Sequence, residues 1–99
     1  MSADMDVVRN IRMIEKLKSE MLFDIAKLYK EMYRPSFSDE GELPDLFADM
    51  LIDTFLLAKR LNIGFEDLQR RIINKLKVMQ LEEATEDVAE LLKHMHLIK

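Results

Sequence analysis

Ninety-nine residues with no cysteine define a single expected domain, residues 1–99, and exclude a disulfide framework, a thiolate metal site and a thiol nucleophile. A net charge of −4 argues against a nucleic-acid polymer as partner, because phosphate backbones attract positive surfaces. Two Gly and two Pro among 48% hydrophobic and 34% charged residues point to an all-α chain of long helices with few turns.

The first helix is expected from Asp4 or Asp6 to Tyr33. Val7, Ile11, Ile14, Leu17, Met21, Ile25, Leu28 and Met32 recur at steps of three and four, and Val8, Leu22, Phe23, Tyr29 and Tyr33 widen this stripe. Arg34-Pro35 ends it, since a residue before proline avoids the α region. Pro35 to Leu43 is polar, carries Ser36, Ser38 and Gly41, and reads as a loop that Phe37 pins to the body.

Pro44 suits the first turn of a second helix, Asp45 favours its dipole, and the helix should run to Leu61 or Asn62. Leu46, Phe47, Met50, Leu51, Ile52, Phe55, Leu56, Leu57, Ala58 and Leu61 make it apolar nearly all round, which is the pattern of a central helix. A chain this short, with about four helices, struggles to surround such an element alone, so a homodimer or higher homo-oligomer is expected to complete it.

Gly64 can cap the third helix, whose stripe is Leu68, Ile72, Leu76 and Met79 with Ile73 beside it. Thr85 is the expected N-cap of a fourth helix with Val88, Leu91, Leu92 and Met95 on its apolar face. The run from Leu46 to Ala58 contains Asp49 and Asp53 and is too short for a bilayer. Met1-Ser2-Ala3-Asp4 lacks the basic and apolar regions of a signal peptide, so the cytoplasm is the expected compartment.

Charge is unevenly spread. Asp39 to Asp53 holds six acidic residues and no basic one, whereas Glu66 to Gln80 holds four basic and two acidic. Asp45, Asp49 and Asp53 fall at i, i+4 and i+8 on one helix face. Like charges roughly 6 Å apart repel by about 2–3 kcal/mol at an effective dielectric near 20. Three compensations are open: ion pairs with Lys59, Arg60 and the basic third helix, a raised carboxyl pKa, or a hard divalent cation bound through carboxylate oxygens. Glu20 and Asp24 form a second i, i+4 pair beside the first helix's stripe, and antiparallel packing of the two helices would gather the pairs into one cluster.

Asp49-Met50-Leu51-Ile52, then Leu57-Ala58-Lys59-Arg60-Leu61-Asn62-Ile63 and Phe65-Glu66-Asp67-Leu68, resembles the second metal-binding helix and following turn of MazG-type proteins. Lys18-Ser19-Glu20-Met21-Leu22-Phe23-Asp24 stands where that family's first glutamate-rich segment lies. The resemblance covers roughly residues 10–80. It implies an all-α nucleotide pyrophosphohydrolase in which carboxylates hold Mg²⁺ or Mn²⁺ at the phosphates of a nucleoside triphosphate or related nucleotide, releasing monophosphate and pyrophosphate. Carried over by position, Glu20, Asp24, Asp45 and Asp49 would be the metal ligands; Lys75, on the basic third helix, is a candidate phosphate contact that the family pattern does not itself place. The chain departs from the family pattern by lacking adjacent glutamates around Glu20 and by having Leu46 three residues before Asp49, where the family has Glu. The resemblance therefore leaves a second reading open: a non-catalytic helical module that binds a nucleotide or a protein.

Other residues are weaker candidates. His94 and His96, two apart, point to different sides of a helix. Ser36 and Ser38 have no nearby histidine, Arg70-Arg71 lacks helix-turn-helix context, and Tyr29 and Tyr33 suit packing or an interface better than base stacking. Asp53 is left without a role.

Overall fold

The structure is a computed structural model that describes residues 3–33, 42–83 and 85–97. It is all-α. Four helices follow in order: α1 (Ala3–Met32), α2 (Leu43–Arg60), α3 (Phe65–Glu82) and α4 (Glu86–Leu97). No strand occurs among the described residues, and no helix among them is long and apolar enough to cross a membrane. The chain divides into two compact units, Met1–Asn62 and Ile63–Lys99. The expected loop and its Phe37 anchor fall mainly on residues 34–41, outside the described residues.

The first unit pairs α1 with α2 in antiparallel order. Asn10, early in α1, donates its Nδ2 to the Arg60 carbonyl at the end of α2 (3.4 Å), while Lys27 and Glu31 share a cleft with Glu42 and Asp45 at its start. The seam of α1 is Asn10, Ile14, Leu17, Met21, Asp24, Leu28 and Glu31, with Leu17 and Asp24 buried and the rest half-buried. On α2 the matching seam is Leu43, Leu46, Met50, Asp53 and Leu57, with Leu46 buried. Both follow alternating steps of three and four, the spacing that keeps one stripe of a helix against one neighbour.

This seam differs in phase from the expected stripe. Val7, Ile11, Ile25 and Met32 are exposed, and Asp24 takes the inward position beside Ile25. One neighbouring helix covers only a narrow strip, so part of a wide apolar face remains outside it. The same geometry leaves Phe47, Leu51, Ile52 and Leu56 of α2 exposed within this unit.

Helix ends follow local chemistry. Leu43 and Pro44 open α2, and the Leu46 amide donates to the Glu42 carbonyl at 2.8 Å. The chain leaves α2 through Asn62 at φ 69°, the left-handed region that Asn tolerates better than most side chains.

In the second unit α3 packs on α4, with Leu76 buried and Leu68, Ile72, Ile73, Val88, Leu92 and Met95 half-buried. Gly64 is the N-cap of α3, and Gln69 Nε2 donates to the Met95 carbonyl at 2.8 Å. Thr85 caps α4 as expected: the Val88 amide donates to Thr85 Oγ1 at 3.3 Å, an interaction worth about 1 kcal/mol in helix stability.

Candidate functional site

The antiparallel register brings the two acidic pairs together. Glu20 and Asp24 of α1 and Asp49 and Asp53 of α2 line one cleft of about 310 Å³, walled by Phe23 and Ile52. Each pair spans one helical turn, so each helix contributes an inward and an outward carboxylate: Asp24 is buried and Asp53 half-buried, while Glu20 and Asp49 stand exposed at the rim.

Among the described residues no cation lines this cleft, and none of the four carboxylates is in an ion pair. Asp24 is only 9% exposed and its Oδ2 has no hydrogen-bond partner among the described residues. A buried carboxylate oxygen without a partner carries the full cost of lost hydration. None of the cations proposed as partners lines this cleft among the described residues. Lys59 and Arg60 line a separate cleft with Asp6, Arg9, Asn10, Leu56 and Asn62. On α3, Arg70 and Arg71 both pair with Asp67 of their own helix.

The cluster leaves an electrostatic mark on Asp53. Its carboxyl is raised from 3.8 to about 6, first by partial burial, then by a side-chain hydrogen bond with Asp24, then by the charges of Glu20, Asp24 and Asp49. A carboxyl whose folded value exceeds its unfolded one adds stability that is fully present below 3.8 and lost as pH rises through about 6. Without added metal, stability should therefore rise as pH falls from 7.5 to 5, by on the order of 1 kcal/mol after solvent screening, and the melting temperature with it. The Asp53→Asn variant should be nearly flat across that window. A wild-type melt equally flat there would rule out this tension.

Asp45 is placed differently from its expected partners. It lines an adjoining cleft of about 150 Å³ with Lys27, Glu31, Glu42, Leu46 and Asp49. Lys27 Nζ also sits 5.8 Å from the centroid of the Phe23 ring. Asp49 borders both clefts; Asp45 borders only the second. Lys75 is exposed on α3, beside a shallow groove with Asn74, Val78 and Met79. His94 and His96 are both exposed, and Tyr29 and Tyr33 are 74% and 90% exposed.

The donor set fits a hard divalent cation. All four groups are carboxylates, the chemistry Mg²⁺ and Mn²⁺ prefer, and the orphaned Asp24 oxygen is the kind of atom such an ion satisfies. Among the described residues no three of these side chains are drawn into coordinating positions. Mutual repulsion holds like charges apart, and Glu20 and Asp49 are exposed enough to turn inward.

Sequence reasoning missed the inward position of Asp53. Its signal was present in Leu46, Met50, Asp53 and Leu57, a run of four-, three- and four-residue steps through three apolar positions.

A family model described as the MazG-like family matches residues 7–92, which includes all of the carboxylate cleft. Comparison with curated proteins and with solved structures finds no match.

Proposed function

The chain belongs to the MazG-like family, and from that premise we propose that it is a metal-dependent nucleotide pyrophosphohydrolase, cleaving a nucleoside triphosphate or related nucleotide to monophosphate and pyrophosphate. The observation that supports this most is the cleft itself: four carboxylates, no lining cation, and a buried Asp24 oxygen without a partner.

Glu20, Asp24 and Asp49 hold Mg²⁺ or Mn²⁺ in this reading. The ion, when bound, neutralises phosphate charge and acidifies water for attack at phosphorus. The protein's part is placement. Asp24, fixed in the α1 seam beside buried Leu17 and half-buried Met21 and Leu28, presents a donor oxygen with little freedom to stray. Asp49 at the rim is open to substrate, and Phe23 and Ile52 narrow the access of water. Lys75 is proposed to contact phosphate on charge grounds alone. Asp45, the fourth position in the family pattern, borders the adjoining cleft beside Lys27.

The test is pyrophosphate release across a panel of normal and modified nucleoside triphosphates with Mg²⁺ or Mn²⁺, and with EDTA as the blank. Metal-dependent release from one of them supports the enzyme. Silence across the panel makes the family's non-catalytic form the better reading. One observation favours that second reading: Leu46, at the family's glutamate position, is 4% exposed and serves the seam. A binding module of this kind would still melt higher with metal or nucleotide, by mass action on the folded state.

Self-association belongs to the same proposal. Among the described residues of Met1–Asn62, Leu17 and Leu46 are the buried apolar side chains, while Leu22, Phe23, Leu51 and Ile52 are 71%, 65%, 62% and 54% exposed. So much apolar surface beside so small a core suits a second copy of the same hairpin, which presents the same surface in return. Light scattering should give at least a dimer at micromolar concentration; a monomer there would refute this.

A further inference from the structure

Two of the four carboxylates in the cleft occupy places where a helical hairpin ordinarily puts leucine. Asp24 lies in the α1 seam between Met21 and Leu28, and Asp53 in the α2 seam between Met50 and Leu57. The antiparallel register sets these two positions in one cleft. An acidic side chain at a seam position forfeits apolar burial and brings a desolvation cost, and a facing pair adds repulsion. Among the described residues no cation lines the cleft to relieve this. Asp24 supplies an independent sign of a ligand: it is nine-tenths buried, it borders the cleft, and its Oδ2 has no partner among the described residues.

We propose that Asp53 is a ligand of the divalent cation in this cleft, completing with Glu20, Asp24 and Asp49 a four-carboxylate set that excludes Asp45. The proposal deepens the metal-dependent reading above and rests on it. Asp45 stands one turn before Asp49 on α2, and Asp53 one turn after it. The set therefore lies further along α2 than the family pattern places it, on the side away from Leu46. That displacement has a physical logic. With leucine buried at position 46, the start of α2 offers no inward carboxylate, and the next polar residue in the α2 seam is Asp53. Asp45 instead borders the cleft that holds Lys27, an ammonium that competes with any second cation there.

Mn²⁺ titration of the full chain by electron paramagnetic resonance tests this without reference to turnover. Asp53→Asn should weaken Mn²⁺ binding by more than about tenfold, the lower end of what losing even an indirect support of a metal costs. It should also add about one inner-sphere water to the bound ion, because a lost oxygen ligand is replaced by solvent. Asp45→Asn should leave the water count unchanged and lower affinity less, since it removes only a nearby charge. Circular dichroism checks that both variants keep their helicity. An Asp53→Asn protein that binds Mn²⁺ with wild-type affinity and hydration overturns the proposal, as does a gain of water in Asp45→Asn or a wild-type chain that binds no Mn²⁺ at millimolar concentration. Asp53-dependent Mn²⁺ binding without pyrophosphate release from any nucleotide would sink the enzyme and leave this site standing.

Discussion

Asp49→Asn should lower pyrophosphate release by about two orders of magnitude or more, the scale expected when a metal loses a direct ligand at a phosphate-cleaving centre. Without metal, the same variant should melt no lower than the wild type. Asp49 is exposed, makes no ion pair among the described residues, and adds its charge to those of Glu20, Asp24 and Asp53. Removing it relieves a few tenths of a kcal/mol of repulsion, the size typical of exposed like charges one turn apart. With millimolar Mn²⁺ the order should reverse, since the wild type gains stability from binding and the variant gains less. Loss of activity together with unchanged or raised stability separates a functional role from a structural one. Turnover at the wild-type level in Asp49→Asn would take the metal out of this cleft.

The sequence made the helices legible because their signals are local. Thr85 and Gly64 marked two starts, and Pro44 with Asp45 marked a third to within a residue or so. The chain leaves α2 at Asn62, inside the expected end at Leu61 or Asn62, in a left-handed conformation that asparagine tolerates better than most side chains. What the sequence left open was phase. On α1 the apolar residues are so many that a stripe through Ile25 and one through Asp24 fit the same spacing. Only the partner helix decides between them, and it turns Asp24 inward and leaves Ile25 40% exposed.

The same ambiguity governed α2. Asp45, Asp49 and Asp53 share a face at four-residue steps, but a helix turns by 3.6 residues, so a row at that spacing drifts around the cylinder. The drift is enough to put Asp53 in the seam, Asp49 at the rim and Asp45 in the next cleft. The pairing of Glu20 and Asp24 with Asp49 was foreseen from antiparallel packing. The exchange of Asp45 for Asp53 needed the register, which is a property of two helices together. The apolar circumference of α2 read as a central helix, but within its own unit only the strip against α1 is covered.

Leu46→Ala should cost about 2–5 kcal/mol, the range for truncating a buried leucine to leave a cavity. At 4% exposure Leu46 is, with Leu17 at 3%, one of the two buried apolar side chains among the described residues of the Met1–Asn62 unit. A domain of this length has a stability on the order of 5–15 kcal/mol, and each kcal/mol moves its melting temperature by about 4–8 °C. The variant should therefore melt at least about 10 °C lower. Leu46→Met keeps the volume and should cost less than about 1.5 kcal/mol. The informative contrast is Leu46→Glu, which restores a carboxylate at the family's glutamate position. Without metal it should be at least as damaging as alanine, because it puts a fourth acid into a seam that already holds Asp24, Glu31 and Asp53. Measured against the wild type in the same buffer, millimolar Mn²⁺ should narrow the gap for Leu46→Glu if the new carboxylate reaches a cation, and leave the gap for Leu46→Ala unchanged. Calorimetry on the three variants with and without Mn²⁺ separates these outcomes. A Leu46→Ala protein that melts with the wild type would mean that the α2 seam does not run through Leu46, and with it would go the inward placement of Asp53.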